Sequence, residues 1–106
     1  MKSPKYSGKP KKLKPIVIRR VVGLSMTPTL RPERLVLATS LFGPLLPEQV
    51  VIFHHKRMEL IKRIQKVENG RIFVVGDNKR ASIDSRSFGW LPIENVIARV
   101  IWPRLS

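Results

Sequence analysis

The chain has 106 residues, enough for one small domain, and its 42% hydrophobic content is ordinary for a globular protein, which excludes wholesale disorder. It has no cysteine, so disulfides and thiolate metal sites are excluded. The net charge is +14, and it is concentrated: residues 1–15 hold six lysines and no acid, among Pro4, Gly8, Pro10 and Pro15.

That composition predicts a solvated basic arm over 1–15 and a folded domain over 16–106. Such an arm is drawn to anionic surfaces, so transient contact with an anionic membrane is expected, and no specific nucleic acid. No run reaches the roughly 18–20 apolar residues of a membrane span, and Ile16–Leu24 is broken by Arg19-Arg20. The basic start lacks the apolar core and small-residue cleavage site of a secretory signal, the first alanine being Ala38. A cytoplasmic location is expected, the alternative being a peripheral one at the membrane.

After the arm, short β-branched runs alternate with turn signals, the pattern of an all-β domain. Ile16–Val22 reads as the first strand. Gly23-Leu24-Ser25-Met26-Thr27-Pro28-Thr29-Leu30 follows, stiffened by Pro28 and opened by a glycine that permits close backbone approach. Leu35–Ala38 is the second strand, beyond Arg31-Pro32-Glu33-Arg34. Leu41–Pro47 is apolar, but its Gly and Pro deny it regular structure, and a stiff wall near a substrate site is favoured over a surface that touches lipid. Val50–His54 is the third strand, with His55-Lys56-Arg57-Met58 as its turn. Residues 59–67 alternate, placing Leu60, Lys62, Ile64 and Lys66 on one face. Asn69-Gly70 is a strong hairpin signal joining that strand to Arg71–Val75. Gly76–Gly89 is a polar loop, Pro92–Asn95 a turn and Val96–Trp102 the closing strand. A small, strongly curved and partly barrel-like sheet is the expected fold.

Two features carry chemistry. Lys62 falls on the face of Leu60 and Ile64, where an apolar residue belongs. Loss of hydration lowers the pKa of a lysine so placed, and a neutral amine can take the proton of a serine hydroxyl. Ser25, in a stiff turn, is such a serine. The loop Gly76–Gly89 is too dense in polar residues for a plain connector: Ser82 is placed to orient the amine, Asp84 and Arg86 to pair, and Asp77 and Asn78 to cap the turn through their own backbone.

Ser25-Met26-Thr27-Pro28-Thr29, then Leu60-Ile61-Lys62-Arg63, then Gly76-Asp77-Asn78 with Ser82-Ile83-Asp84-Ser85-Arg86 resemble, in this order, three boxes of the type I signal peptidase family of serine–lysine proteases. The resemblance covers about residues 16–102. It implies an endopeptidase that removes an N-terminal leader from a precursor polypeptide. It also implies Ser25 as nucleophile and oxyanion donor through its backbone N–H, with Lys62 as general base and Ser82 as orienter of the lysine. Asp84, Arg86 and Asp77 would support the site, Met26 and Leu60 would touch substrate, and no cofactor or metal would be needed. The Gly-Asp pairs usual in the family are replaced by Pro32-Glu33 and Pro47-Glu48, read as alternative turns. Gly23 stands where some members place a second oxyanion donor. The membrane anchor and large inserted β-domain of many members are absent from this sequence. Such brevity, with Glu59–Gly89 and Leu91–Trp102, looks most like the nickel-type superoxide dismutase maturation proteases. The same chemistry on exported pre-proteins at the membrane is the alternative.

Other readings fare less well. His54-His55 point to opposite faces of a strand and lack a ligand set. Gly-x-Ser-x-Gly is absent, so an α/β-hydrolase elbow is unsupported. Self-cleavage of the repressor type is disfavoured, since no alanine precedes Ser25. A non-catalytic basic β-domain binding nucleic acid or anionic surfaces remains an alternative of another class, although the aromatics are not interleaved with basic residues as a stacking platform requires.

Overall fold

The β-branched runs become strands wherever a turn-former releases them. The computed structural model describes residues 15–105, so the predicted basic arm, Pro15 apart, lies outside the described residues. Among the described residues there are seven strands: β1 (Ile16–Arg20), β2 (Leu35–Thr39), β3 (Val50–His55), β4 (Met58–Glu68), β5 (Arg71–Val75), β6 (Leu91–Pro92) and β7 (Val96–Trp102). They form one antiparallel sheet in the order β1-β2-β7-β3-β4-β5-β6. The fold is all-β as predicted, but the sheet is not closed, and β1 and β6 are its edges.

It is nevertheless strongly bent. Arg19 on β1 pairs with Glu59 on β4, four strands away in the sheet order. In a flat sheet those strands would stand about 19 Å apart. Irregularities in register between Leu37 and Ala38, Ile52 and Phe53, and Ile64 and Lys66 supply the bend.

Bending a sheet this small gives its central strand two buried faces. Val50, Val51, Ile52 and Phe53 of β3 are all buried, which explains their unbroken apolar run. Val50 and Ile52 face one cluster with Val21, Met26, Leu30, Val36, Ala38, Ala98 and Val100. Val51 and Phe53 face a second with Leu45, Ile64, Ile72, Val74 and Leu91. Lys62 stands directly opposite Val51, on the face of that second cluster.

The alternation predicted for β4 holds only as far as Ile64. Ile64 pairs with Val74 but Lys66 with Phe73, so one extra residue reverses the facing beyond that point. Val67 therefore packs on the second cluster, while the Lys66 amine lies over the rings of Phe73 and Trp90 at 5.2 and 5.8 Å. Asn69 and Gly70 have φ of 46° and 77°, the two-residue turn expected, and Lys56 and Arg57 adopt a similar one at 49° and 65° without glycine. Pro32-Glu33 and Pro47-Glu48 are both turns with Glu at φ of 74° and 79°, closed by Arg34 N–H to Arg31 O and Gln49 N–H to Leu46 O.

Two loop expectations change. Residues 76–89 are not irregular throughout: a 3-10 turn covers Lys79–Ala81, and a single helical turn, α1, covers Ser85–Phe88. Leu41–Pro47, expected to be a wall near a substrate site, packs in part on the core. Leu45 is buried and Phe42 packs beside it under the second cluster, because the open face there needs covering.

Candidate active site

The turn that carries Ser25 is built by the residues on either side of it. Val21 anchors the end of β1 in the core, exchanging backbone hydrogen bonds with the β2 approach: Val21 N–H to Arg34 O and Glu33 N–H to Val21 O, both 2.8 Å. Gly23 then turns the chain at φ 84° in open space, so its conformation rather than crowding calls for glycine. The Thr27 N–H and hydroxyl both donate to Leu24 O, at 3.1 and 2.8 Å, and Leu30 N–H donates to Met26 O at 2.8 Å. Met26 and Leu30 drive this turn into the core, each 1% exposed, leaving half-buried Ser25 on its outer side. Met26, expected to touch substrate, is a buried member of the first cluster.

Lys62 closes on the turn from β4. Its Nζ donates to Ser25 Oγ at 2.7 Å, and the residue is 4% exposed. Burial among apolar neighbours holds the amine below the ordinary lysine pKa, against a smaller opposing pull from the negative charge of Asp84. The neutral amine, the form that accepts a hydroxyl proton, is therefore more accessible here than in a free lysine.

The loop beyond β5 stands behind both groups. Asn78 N–H donates to Ser25 O at 2.8 Å and Asn78 Nδ2 to Thr27 Oγ1 at 2.9 Å. Gly76 is the point of closest approach, where an added Cβ would lie 2.3 Å from Ser82 Oγ and 2.6 Å from Ser25 O. Ser82 is thus beside the site, but it does not hydrogen-bond Lys62 among the described residues. Its hydroxyl donates instead to Asp84 Oδ2 at 2.7 Å, a nearby anion being the stronger acceptor, so any orienting effect runs through Asp84.

Asp84 is fully buried and caps α1, accepting from Arg86 N–H at 3.1 Å and Arg86 Nε at 2.9 Å on one oxygen. Gly76 N–H at 2.8 Å and Arg86 Nη2 at 3.1 Å reach the other. Burial alone would raise its pKa, but Arg86, Gly76 and Ser82 together hold it well below the usual carboxylate range. The expected Asp84–Arg86 pair is formed. Asp77 departs from its expected role, since its side chain binds other elements rather than capping its own turn. It accepts from Arg63 Nε and Nη2 at 2.9 Å each and from the Thr29 hydroxyl, which joins β4 to the turn that carries Ser25. Chiefly through Arg63, its pKa is lowered.

Arg63 is the residue that sequence reasoning left without a role. Besides Asp77, it donates through Nη1 to Glu48 O at 2.7 Å and Leu105 O at 3.0 Å, tying four segments together next to Lys62. Its hydrogen bonds to Asp77 raise its pKa. The available signal was its place beside the odd lysine, pointing to the other face of β4.

Leu60 and Lys62 line two depressions. The first also holds Ser25, rimmed by Arg19, Arg20 and Glu59; the second is apolar, with Met58, Ile83 and Phe88. Leu60, expected to touch substrate, is thus shared by the two depressions. His55 stacks on Phe88, ring centroids 4.0 Å apart, and among the described residues no three His, Asp or Glu side chains gather to hold a metal ion. No helix among the described residues is long and apolar enough to cross a membrane.

Comparison with known proteins points the same way. Residues 58–104 match the family model described as signal peptidase, peptidase S26. That span contains Lys62, Ser82 and Asp84 but not Ser25. The chain is similar to thylakoidal processing peptidase 1, chloroplastic, of Arabidopsis thaliana, 48% identical over 40 residues, which cover 35% of this chain and 12% of that protein. It is equally similar to the probable thylakoidal processing peptidase 2, chloroplastic, of the same plant, 48% identical over 40 residues, or 11% of that protein. These likenesses support the signal peptidase family and a processing protease.

Proposed function

We propose, on the premise of that family match, that the protein is a serine endopeptidase in which Ser25 is the nucleophile and Lys62 the general base. The observation that carries this reading is the 2.7 Å contact between a buried lysine amine and the Ser25 hydroxyl. Neutral Lys62 takes the hydroxyl proton as Ser25 Oγ attacks the scissile carbonyl. The resulting ammonium returns the proton to the leaving amine as the C–N bond breaks, leaving an acyl-enzyme. The amine then activates water to hydrolyse it. The Ser25 N–H has no acceptor among the described hydrogen bonds, so it is free to donate to the oxyanion. Such a donor is typically worth about 2.7–4 kcal/mol.

The substrate on this reading is the leader of a precursor polypeptide, with small side chains beside the cut. A nickel-type superoxide dismutase precursor is our first choice, supported by the resemblance of Glu59–Gly89 and Leu91–Trp102 to its maturation proteases. A second reading, cleavage of exported pre-proteins at a membrane, draws on the names of the two plant relatives. We place the protein in the cytoplasm, with residues 1–15 making transient contact with anionic lipid.

Incubation of each precursor with wild type, Ser25→Ala and Lys62→Ala, followed by N-terminal sequencing, tests the reading. A new N-terminus should appear with wild type, and its rate of formation should fall by about a thousandfold or more in either variant. Cleavage that survives Ser25→Ala would sink the proposal. The precursor that is cut decides between the two substrates.

A further inference from the structure

The two depressions share Lys62 and Leu60, yet only one of them contains Ser25. We propose that the second, apolar depression receives the side chain that follows the scissile bond, and that it selects a bulky apolar residue there. This inference rests on the serine–lysine reading of the site.

The assignment of sides follows from where bonds form and break. The acyl carbon becomes attached to Ser25 Oγ, so the segment before the cut lies in the depression that holds Ser25. The leaving nitrogen must receive its proton from the Lys62 ammonium, so the segment after the cut departs over Lys62. The depression that Lys62 lines without Ser25 is on that side. Its chemistry is also distinct. Met58 and Ile83 remain 58% and 74% exposed at its rim, a cost in water that an apolar ligand would relieve. Phe88, held flat against His55, and Leu60 extend the apolar wall. The first depression instead carries Arg19, Arg20 and Glu59 around Ser25. A peptide lying across the pair therefore meets Arg19, Arg20 and Glu59 before the cut, and after it a mainly apolar wall that also includes Lys56 and Ser87.

The probe is a series of internally quenched peptides with alanine before the cut and serine, valine, leucine or phenylalanine after it. Each is assayed with wild type, Ser25→Ala, Ile83→Asp, Met58→Asp and Leu41→Asp. For wild type, kcat/KM should rise at least tenfold from the serine to the leucine peptide, mainly through KM, the usual worth of an apolar pocket. In Ile83→Asp and Met58→Asp the leucine-to-serine ratio should fall to about threefold or less. That ratio is read within one preparation, so partial misfolding does not alter it. Leu41→Asp, an exposed apolar residue outside both depressions, should keep the wild-type ratio. Ser25-dependent cleavage with a flat series, or a preference untouched by both substitutions, would overturn the subsite and leave the protease intact. Cleavage equal in wild type and Ser25→Ala would overturn both.

Discussion

Asp77 and Asp84 lie seven residues apart in the loop after β5, and both are held ionised, but their partners differ in kind. Asp77 reaches across the molecule, to Arg63 on β4 and Thr29 on the turn that carries Ser25. Asp84 binds within its own loop, to Ser82, Gly76 and Arg86, and is fully buried. Asp77 therefore fixes where the Ser25 turn stands relative to β4. Asp84 fixes the shape of the loop and adds a charge that opposes the effect of burial on Lys62. Separate carboxylates thus bear on the position of the candidate pair and, secondarily to burial, on its protonation.

Removing Asp84 should have the largest effect. Asp84→Ala takes away the cap of α1 and leaves Gly76 N–H and the Ser82 hydroxyl short of an acceptor, a loss of about 3 kcal/mol. In a domain this size that lowers the melting midpoint by about 12 °C or more. Asp84→Asn keeps the shape and removes the charge that opposes the lowering of the Lys62 pKa. The rising limb of the pH–rate profile should then move to lower pH, and a limb that stays in place would deny Asp84 its electrostatic role. Because the folded-state pKa of Asp84 is depressed, its stabilisation is complete above the unfolded carboxylate range near pH 4. It is lost as pH falls from there towards the lowered folded value. Acid unfolding followed by circular dichroism should show that component in wild type and not in Asp84→Asn.

Breaking Asp77 should cost less stability and more turnover. Asp77→Ala removes hydrogen bonds between charged groups worth about 2 kcal/mol, while Arg63 keeps Glu48 O and Leu105 O. The loosened turn should lower kcat about a hundredfold with little change in KM, the scale of effect that a small misplacement produces. The pH of the rising limb should not move, and if it did the separation between the two carboxylates would fail.

Lys62→Met asks what the candidate base costs the fold. Burial lowers the folded-state pKa of Lys62 below its unfolded value, so between those two values the unfolded chain binds more protons. The cost is therefore present at neutral pH and disappears as pH rises through the unfolded value near 10.4. The variant should be inactive yet melt about 4 °C higher at pH 7, with the gain shrinking towards pH 10. Equal or lower stability at pH 7 would mean that the amine is adequately solvated in place.

Much of this was legible in the chain, for reasons that differ from residue to residue. Period-two alternation exposed Lys62 as a misfit on an apolar face, and its facing opposite Val51 shows why. Asn69-Gly70 announced its hairpin because its backbone preference is local. The break in β4 after Ile64 was hidden, since a bulge leaves no residue signature when both Gln65 and Lys66 are polar. The burial of Met26 was not legible because a turn buries side chains without any period to reveal it. Arg63 looked like one more basic residue of a basic protein. Its four acceptor sites come from segments that only the folded sheet brings together.

The smallest expected effect sharpens the Asp77 side of the comparison. Glu48 holds φ 79° in its turn with Pro47, a conformation that glycine adopts freely and other residues only under strain. Its carbonyl is also one of the anchors of Arg63. Glu48→Gly relieves about 1 kcal/mol of strain or more, offset in part by the extra freedom glycine gives the unfolded chain. The net gain should be about 0.5 kcal/mol, or roughly 2–4 °C in melting midpoint. The Glu48 side chain makes no hydrogen bond of its own to Arg63, so kcat should stay within about twofold of wild type, as position is carried by the carbonyl. A fall in kcat comparable to that of Asp77→Ala would show instead that the charge of Glu48, which also raises the Arg63 pKa, helps hold the guanidinium in place.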